Sequence, residues 1–98
     1  FSPEGKEDLL EAGGLVLGRL ERMAAALATG DKALAEGVLS EEREVAAFLD
    51  RLRRAHLSRL ESGRAESRAT TLAHLDLLIT LEEVSSGVDR LCRLVLEL

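Results

Sequence analysis

The feature of this sequence that most constrains its fold is a row of apolar residues near the C-terminus, spaced alternately four and three residues apart. The row comprises Leu77, Leu81, Val84, Val88, Leu91, Val95 and Leu98, and His74 and Thr70 extend it upstream. This spacing returns to one side of an α-helix every seven residues, as in helices of left-handed bundles. Because no segment alternates apolar and polar residues as a strand does, the sequence predicts an all-α protein.

Two further helices are predicted upstream of this row. The first carries Leu9, Gly13, Val16, Leu20, Met23 and Leu27 at the same spacing. Gly30 then ends that helix and Asp31 caps the second, which is predicted to run to about Glu61 and to be closed by Ser62 and Gly63. The second helix carries Leu34, Val38, Glu41, Val45, Phe48, Leu52 and Ala55. Since short turns place consecutive helices antiparallel, we predict an up-down-up three-helix bundle of long helices, with residues 1–98 as a single domain.

Composition and charge exclude several classes of protein. Hydrophobic residues make up 46% of the chain and charged residues 32%, which is typical of a folded domain rather than a disordered one. The net charge is −5, so we expect no nucleic-acid partner. No apolar run approaches the roughly 18 residues of a membrane span, so we expect no direct membrane insertion. The single cysteine, Cys92, suits a reducing compartment, and a chain that opens at Phe1 without methionine is expected to be a piece of a longer protein.

No motif in the sequence is typical of an enzyme. Ser85, Ser86 and Gly87 fall inside a predicted helix, whereas a nucleophilic serine of the hydrolase type follows a strand. Gly13 and Gly14 precede no strand, so they do not form a phosphate-binding loop. We therefore predict a non-catalytic protein.

Four carboxylates are the main candidates for a metal site, namely Glu41, Glu42, Glu82 and Asp89. The predicted antiparallel register sets Glu41 level with Val88, and carboxylates on facing helices are how bundles hold hard cations. The alternative, which we favour, is that arginines neutralise these acids. Arg19, Arg22 and Arg93 are predicted to lie close enough to do so.

The two histidines form a second candidate polar site. His56 and His74 are predicted to lie within one helical turn of each other, and with Asp76 or Glu61 they would suit a transition metal. More often such histidines are satisfied by backbone or carboxylate contacts at the end of a bundle. A phosphorelay role is not supported, because the residues around His56 do not match a phosphotransfer motif.

The segments around these histidines resemble a known family. Residues 44–49 read EVAAFL, residues 56–64 read HLSRLESGR and residues 74–78 read HLDLL. This succession is similar to the PhoU-type domain, and in particular to the half-PhoU repeat at the cytoplasmic end of bacterial sodium/phosphate cotransporters. The similarity covers about residues 31–98, with a fitting VLE at residues 95–97.

The resemblance implies a cytoplasmic regulatory or assembly domain in phosphate transport, whose helix faces contact a partner chain. The membrane-embedded part of a transporter is a candidate partner. PhoU proteins hold metal centres in acidic clusters, but here Ser86 stands where an aspartate is typical and Gly87 where the cotransporter branch often has a histidine. We therefore expect no tightly bound metal. A metal-binding module that holds a divalent or trivalent ion on these carboxylates stays open as an alternative, and so does a helical dimerisation domain unrelated to phosphate.

We also expect a homodimer, because full PhoU proteins pack two such repeats together. Secondary apolar rows would supply the interface, namely Leu10, Leu17 and Ala24 on the first helix and Leu75, Leu78, Cys92 and Leu96 on the last. Gly13, Gly14 and Gly18 would let two helices approach closely, which would explain these residues in a helix interior, where glycine is costly.

Overall fold

The computed structural model describes the backbone of residues 3–61 and 65–98, and the side chains of residues 5–61, 70 and 72–98. The described residues form four helices: α1 (Pro3–Thr29), α2 (Lys32–Leu39), α3 (Glu42–Glu61) and α4 (Ala65–Glu97). α1 and α4 run in one direction, and α2 and α3 return in the other. The described chain contains no strand, so the predicted all-α, up-down-up bundle is confirmed. The closing turn predicted at Ser62 and Gly63 lies outside the described residues.

The turn between α1 and α2 has the predicted chemistry. Gly30 adopts a positive φ of 69°, a conformation that costs a residue with a Cβ more than it costs glycine. Asp31 then caps α2, because its Oδ1 accepts a hydrogen bond from the Leu34 N–H at 3.0 Å.

The predicted second helix is divided in two by a break at Ser40 and Glu41. The Ser40 N–H still donates to the Glu36 carbonyl, and the Ser40 hydroxyl donates to the Gly37 carbonyl at 2.6 Å. Serine offers the backbone such local alternatives and glycine has low helix propensity, so Gly37 and Ser40 favour an interruption here. At the break, the Val38 carbonyl accepts a hydrogen bond from the Glu41 N–H at 3.1 Å.

The bundle interior contains two separate apolar clusters. The first, between α1, α2 and α4, comprises Met23, Ala26, Ala35, Val38, Val88, Cys92 and Val95. The second, between α1, α3 and α4, comprises Ala12, Val16, Val45, Leu49, Leu52 and Leu78. A layer of polar side chains lies between the two clusters.

The predicted packing register of α1 and α4 is correct only in part. Val16 and Met23 on α1 and Val88 and Val95 on α4 are buried as predicted. Other members of the two rows were expected in the interior but are exposed, namely Leu77, Val84, Leu91 and Leu98 on α4 and Leu20 and Leu27 on α1. The buried side of α4 is rotated toward the row that carries Leu78, Ser85, Asp89 and Cys92. The physical reason is that α4 is apolar around much of its circumference, and the polar layer draws Ser85 and Asp89 inward.

The expected interface rows are also corrected in part. On α4, Leu75, Leu78 and Cys92 are buried within the domain and do not lie on its surface, whereas Leu10 and Leu17 on α1 are exposed. An added Cβ at Gly13, Gly14 or Gly18 would meet no atom within 4 Å, so these glycines do not serve close packing inside the domain.

Length and hydrophobicity together decide whether a helix can span a membrane. Among the residues that the structure describes, no helix is both long enough and apolar enough to cross a bilayer.

Candidate functional site

A single buried arginine connects three of the helices. Arg19 is fully buried between the two apolar clusters. Its Nη1 donates to the Ser85 hydroxyl at 2.6 Å, and its Nη2 donates to Asp89 Oδ1 at 2.5 Å and to the Val38 carbonyl at 2.9 Å. Arg19 therefore connects α1 to α4 and to the C-terminal end of α2.

The sequence pattern contains a signal for this arginine. Arg19 stands in the row Ala12, Val16, Arg19, Met23 and Ala26, which has the same four-three spacing as the predicted row through Gly13 and Leu20. The row through Gly13 is the more apolar of the two, and an arginine ordinarily faces solvent, so the sequence favours the wrong row. A cation in an otherwise apolar row, matched by a serine and an aspartate in a row of another helix, is the signal of an internal polar layer.

Glu41 lies at the edge of the Arg19 network, at the break between α2 and α3. Its carboxylate accepts two hydrogen bonds from Arg22, from Nη1 at 2.9 Å and from Nη2 at 2.7 Å, and lies 3.6 Å from the Nε of Arg19. The hydrogen bonds from Arg22 are the main reason that the pKa of Glu41 is lowered from its ordinary value. Glu41 is thus held in its charged form.

The other two candidate carboxylates bind arginines elsewhere in the bundle. Glu42 accepts a hydrogen bond from Arg93 at 2.5 Å, and this contact lowers the pKa of Glu42. Glu82 accepts a hydrogen bond from Arg53 Nε at 3.0 Å. The structure therefore brings Glu41 and Asp89 to a shared arginine but does not gather all four acids at one point. Within the described residues, no group of three or more His, Cys, Asp or Glu side chains is placed to hold a metal ion.

The two histidines lie in direct contact between α3 and α4. His74 Nδ1 is 3.3 Å from His56 Nε2, and the rings meet edge to face with centroids 5.2 Å apart. Both residues are buried. Asp76, which was expected to join them, is exposed two residues further along α4. The arrangement is a pair of imidazoles, without the Asp76 carboxylate.

Hydrogen bonding determines the protonation of each ring nitrogen in the neutral pair. His56 Nδ1 lies 2.8 Å from the Leu52 carbonyl, which can only accept, so Nδ1 carries the proton. The Nε2 of a neutral His56 is then an acceptor, and His74 must donate to it through its own Nδ1–H. Burial and the neighbouring His56 lower the pKa of His74 from its ordinary value.

Eight large apolar side chains of α1 and α4 are exposed. We call these residues the apolar face. They are Leu10, Leu17, Leu20 and Leu27 on α1 and Leu77, Val84, Leu91 and Leu98 on α4. Arg22 on α1 and Glu82 on α4 bond residues of α3 or of the break before it, and thereby mark the opposite side of each helix. The helical repeat of about 100° per residue places both apolar rows away from α3.

Comparison with known proteins identifies one family. The family model described as PhoU domain matches residues 9–95, which includes most of α1 and α4 and all of α2 and α3. No significant match was found among curated proteins or solved structures.

Proposed function

Because this chain belongs to the PhoU domain family, we propose that it is a non-catalytic regulatory or assembly domain of a phosphate-transport system. It acts on the cytoplasmic side of the membrane, through contacts between its helix faces and a partner chain. The observation that carries this proposal, beside the family, is the apolar face. Large exposed apolar patches on folded domains mark interaction surfaces more often than enzymatic ones.

A second copy of the chain is the proposed occupant of the apolar face. The exposed residues at positions 77, 84, 91 and 98 of α4 recur at seven-residue intervals, and those of α1 form two pairs with the same interval, at positions 10 and 17 and at positions 20 and 27. In a dimer with a two-fold axis, rows with the same seven-residue spacing would therefore pack against each other. Two-fold symmetry is the commonest symmetry of soluble assemblies. The membrane-embedded part of a phosphate transporter is the proposed regulatory partner of the assembled domain.

Disrupting the apolar face is expected to yield a folded monomer. Leu17→Glu and Leu91→Glu each place a charge within the face, whereas the control Ile79→Glu changes an exposed residue on another side of α4. Sedimentation equilibrium over a wide concentration range should show a dimer for the wild type and the control, and a monomer for the other two. A wild-type monomer at high micromolar concentration would contradict the dimer.

Salt dependence provides a second check on the occupant. Acidic residues, including Glu21 on α1 and Asp76 and Glu83 on α4, border the apolar face and are exposed. In a symmetric dimer these acids approach their own copies, so added salt should screen their repulsion and strengthen association. Association that weakens with salt would point instead to a basic partner surface.

The link to phosphate transport is tested in cells. We expect the Leu17→Glu and Leu91→Glu substitutions, introduced in the native gene, to change the uptake of radiolabelled phosphate under phosphate-rich and phosphate-poor conditions. Ile79→Glu should leave uptake unchanged. If dimerisation is lost while uptake stays normal, the domain is a dimerisation module unrelated to phosphate.

The domain is proposed to work without a tightly bound metal. The arginines that hold Glu41, Glu42, Glu82 and Asp89 supply the positive charge that a cation would otherwise provide. Elemental analysis of the purified protein should therefore show no stoichiometric iron, zinc or manganese. A stoichiometric metal that is lost in Glu41→Gln, Glu82→Gln and retained in the control Glu83→Gln would establish the metal-binding alternative.

A further inference from the structure

His56 and His74 are the only two histidines of the chain, and they contact each other. They join the C-terminal part of α3 to the N-terminal part of α4, at the end of the bundle opposite the turn at Gly30. His56 is 1% exposed and His74 6%, so both rings are shielded from water in the closed bundle. Neither residue takes part in the Arg19 network or the apolar face.

We propose that this histidine pair is a pH-sensitive latch, which holds α3 to α4 while both rings are neutral and releases this end of the bundle when the pair is protonated. The neutral pair is connected to the backbone by two hydrogen bonds in series, from His74 to His56 and from His56 to the Leu52 carbonyl. The bond to the Leu52 carbonyl determines the direction of the bond between the two histidines, because it leaves Nε2 of His56 as the acceptor.

Protonation opposes this arrangement in two steps. A first proton gives the buried pair a net positive charge, which is costly in a site shielded from water. A second proton would put N–H groups on both of the facing nitrogens, which lie 3.3 Å apart, and would replace their hydrogen bond by repulsion. Both steps are easier when the rings separate and reach water.

The charged surroundings of the pair work in the same direction. Besides His56, the positive charge of Arg59 on α3 lowers the pKa of His74 electrostatically. On α4 itself the nearest carboxylate in sequence, Asp76, is exposed two residues beyond His74.

The sign of the pH dependence follows from the lowered pKa. The ordinary pKa of histidine is 6.5, so His74 is mainly unprotonated at neutral pH in both the folded and the unfolded chain. As the pH falls through 6.5, the unfolded chain takes up protons that the closed bundle resists. Stability is therefore complete above pH 6.5 and is lost progressively below it, down to the folded-state pKa.

Opening is confined to one end of the bundle. The Arg19 network separates the histidine end from the cluster around Val38 and Cys92. The pKa values of Glu41 and Glu42 are lowered, so both stay ionised throughout the range in which histidine titrates. The far cluster therefore keeps its contacts while the latch opens.

The test compares the pH dependence of unfolding in the wild type and in the double variant His56→Gln, His74→Asn. Glutamine places an acceptor oxygen near the position of Nε2 and asparagine a donor near that of Nδ1, so the variant keeps the bond without a titrating group. Between about pH 7.5 and pH 5, the unfolding constant of the wild type should rise roughly tenfold, because the unfolded chain takes up protons that the closed bundle resists. The variant should show little change. Equal pH dependence in both proteins, or none in the wild type, overturns the latch.

A second measurement needs no substitution. Nitrogen NMR of the two imidazoles at neutral pH should show the Nδ1–H form of both rings, with a titration midpoint for His74 below the ordinary 6.5. The protection factor of each amide corrects its exchange rate for the intrinsic effect of pH. As the pH falls over the same range, protection should decrease near Leu52 and Leu75 but not near Val38 and Val95. A His74 midpoint at or above the ordinary value, or protection near Leu52 and Leu75 that does not change with pH, would contradict the proposal.

Discussion

Replacing Leu78 by aspartate is expected to unfold the domain. Leu78 is fully buried among Val16, Leu49 and Leu52, and no cation faces it in that cluster. A carboxylate there would lose its hydration without gaining a partner, at a cost of several kcal/mol. Since small domains are stable by only about 5–15 kcal/mol, far-UV circular dichroism should show little cooperative melting.

The neighbouring residue provides the matched control. Leu77 is 46% exposed, so Leu77→Asp should retain the cooperative transition of the wild type. The same substitution at adjacent positions thus distinguishes the observed register of α4 from the one predicted by the apolar row, in which Leu77 and not Leu78 lies in the interior. If Leu77→Asp unfolds the protein and Leu78→Asp does not, the observed register is wrong.

Removing the guanidinium of Arg19 is expected to have the next largest effect. In Arg19→Met the side chain still fills space, but Asp89 remains buried without its cation and Ser85 loses its donor. Breaking one partner of a buried ion pair typically costs about 3–5 kcal/mol. Urea unfolding should show this loss as a shift in midpoint with little change in slope.

Two comparisons distinguish the loss of the buried ion pair from a general loss of stability caused by substitution in α1. Arg22→Met removes the same group three residues along α1, but Arg22 is partly exposed, so its loss should cost no more than about 1 kcal/mol. Adding Asp89→Asn to Arg19→Met should recover part of the lost stability, because the uncompensated charge disappears. An equal loss in Arg19→Met and Arg22→Met would show that Arg19 has no special role.

The histidine contact shows how far sequence reasoning reaches into a site. The lengths of the helices and the position of the corner between them place His56 and His74 at the same level, and the structure brings them together. Which nitrogen bears each proton depends on the Leu52 carbonyl, one turn earlier on α3. The sequence pattern does not contain this information, because every residue has a backbone carbonyl and the pattern does not show which carbonyl a side chain will contact.

The sequence by itself determined the helices, the turn at Gly30 and Asp31, and the order in which the helices pack. These features depend on local preferences and on spacing along one chain, both of which are readable from neighbouring residues. Only the tertiary structure decided which side of α4 is buried. α4 has apolar residues on more than one side, so hydrophobicity alone permits several registers. The register of α4 depends on contacts among three helices. Arg19 on α1 hydrogen-bonds Asp89 and Ser85 on α4 and the Val38 carbonyl on α2. A buried cation is stable only where such partners surround it.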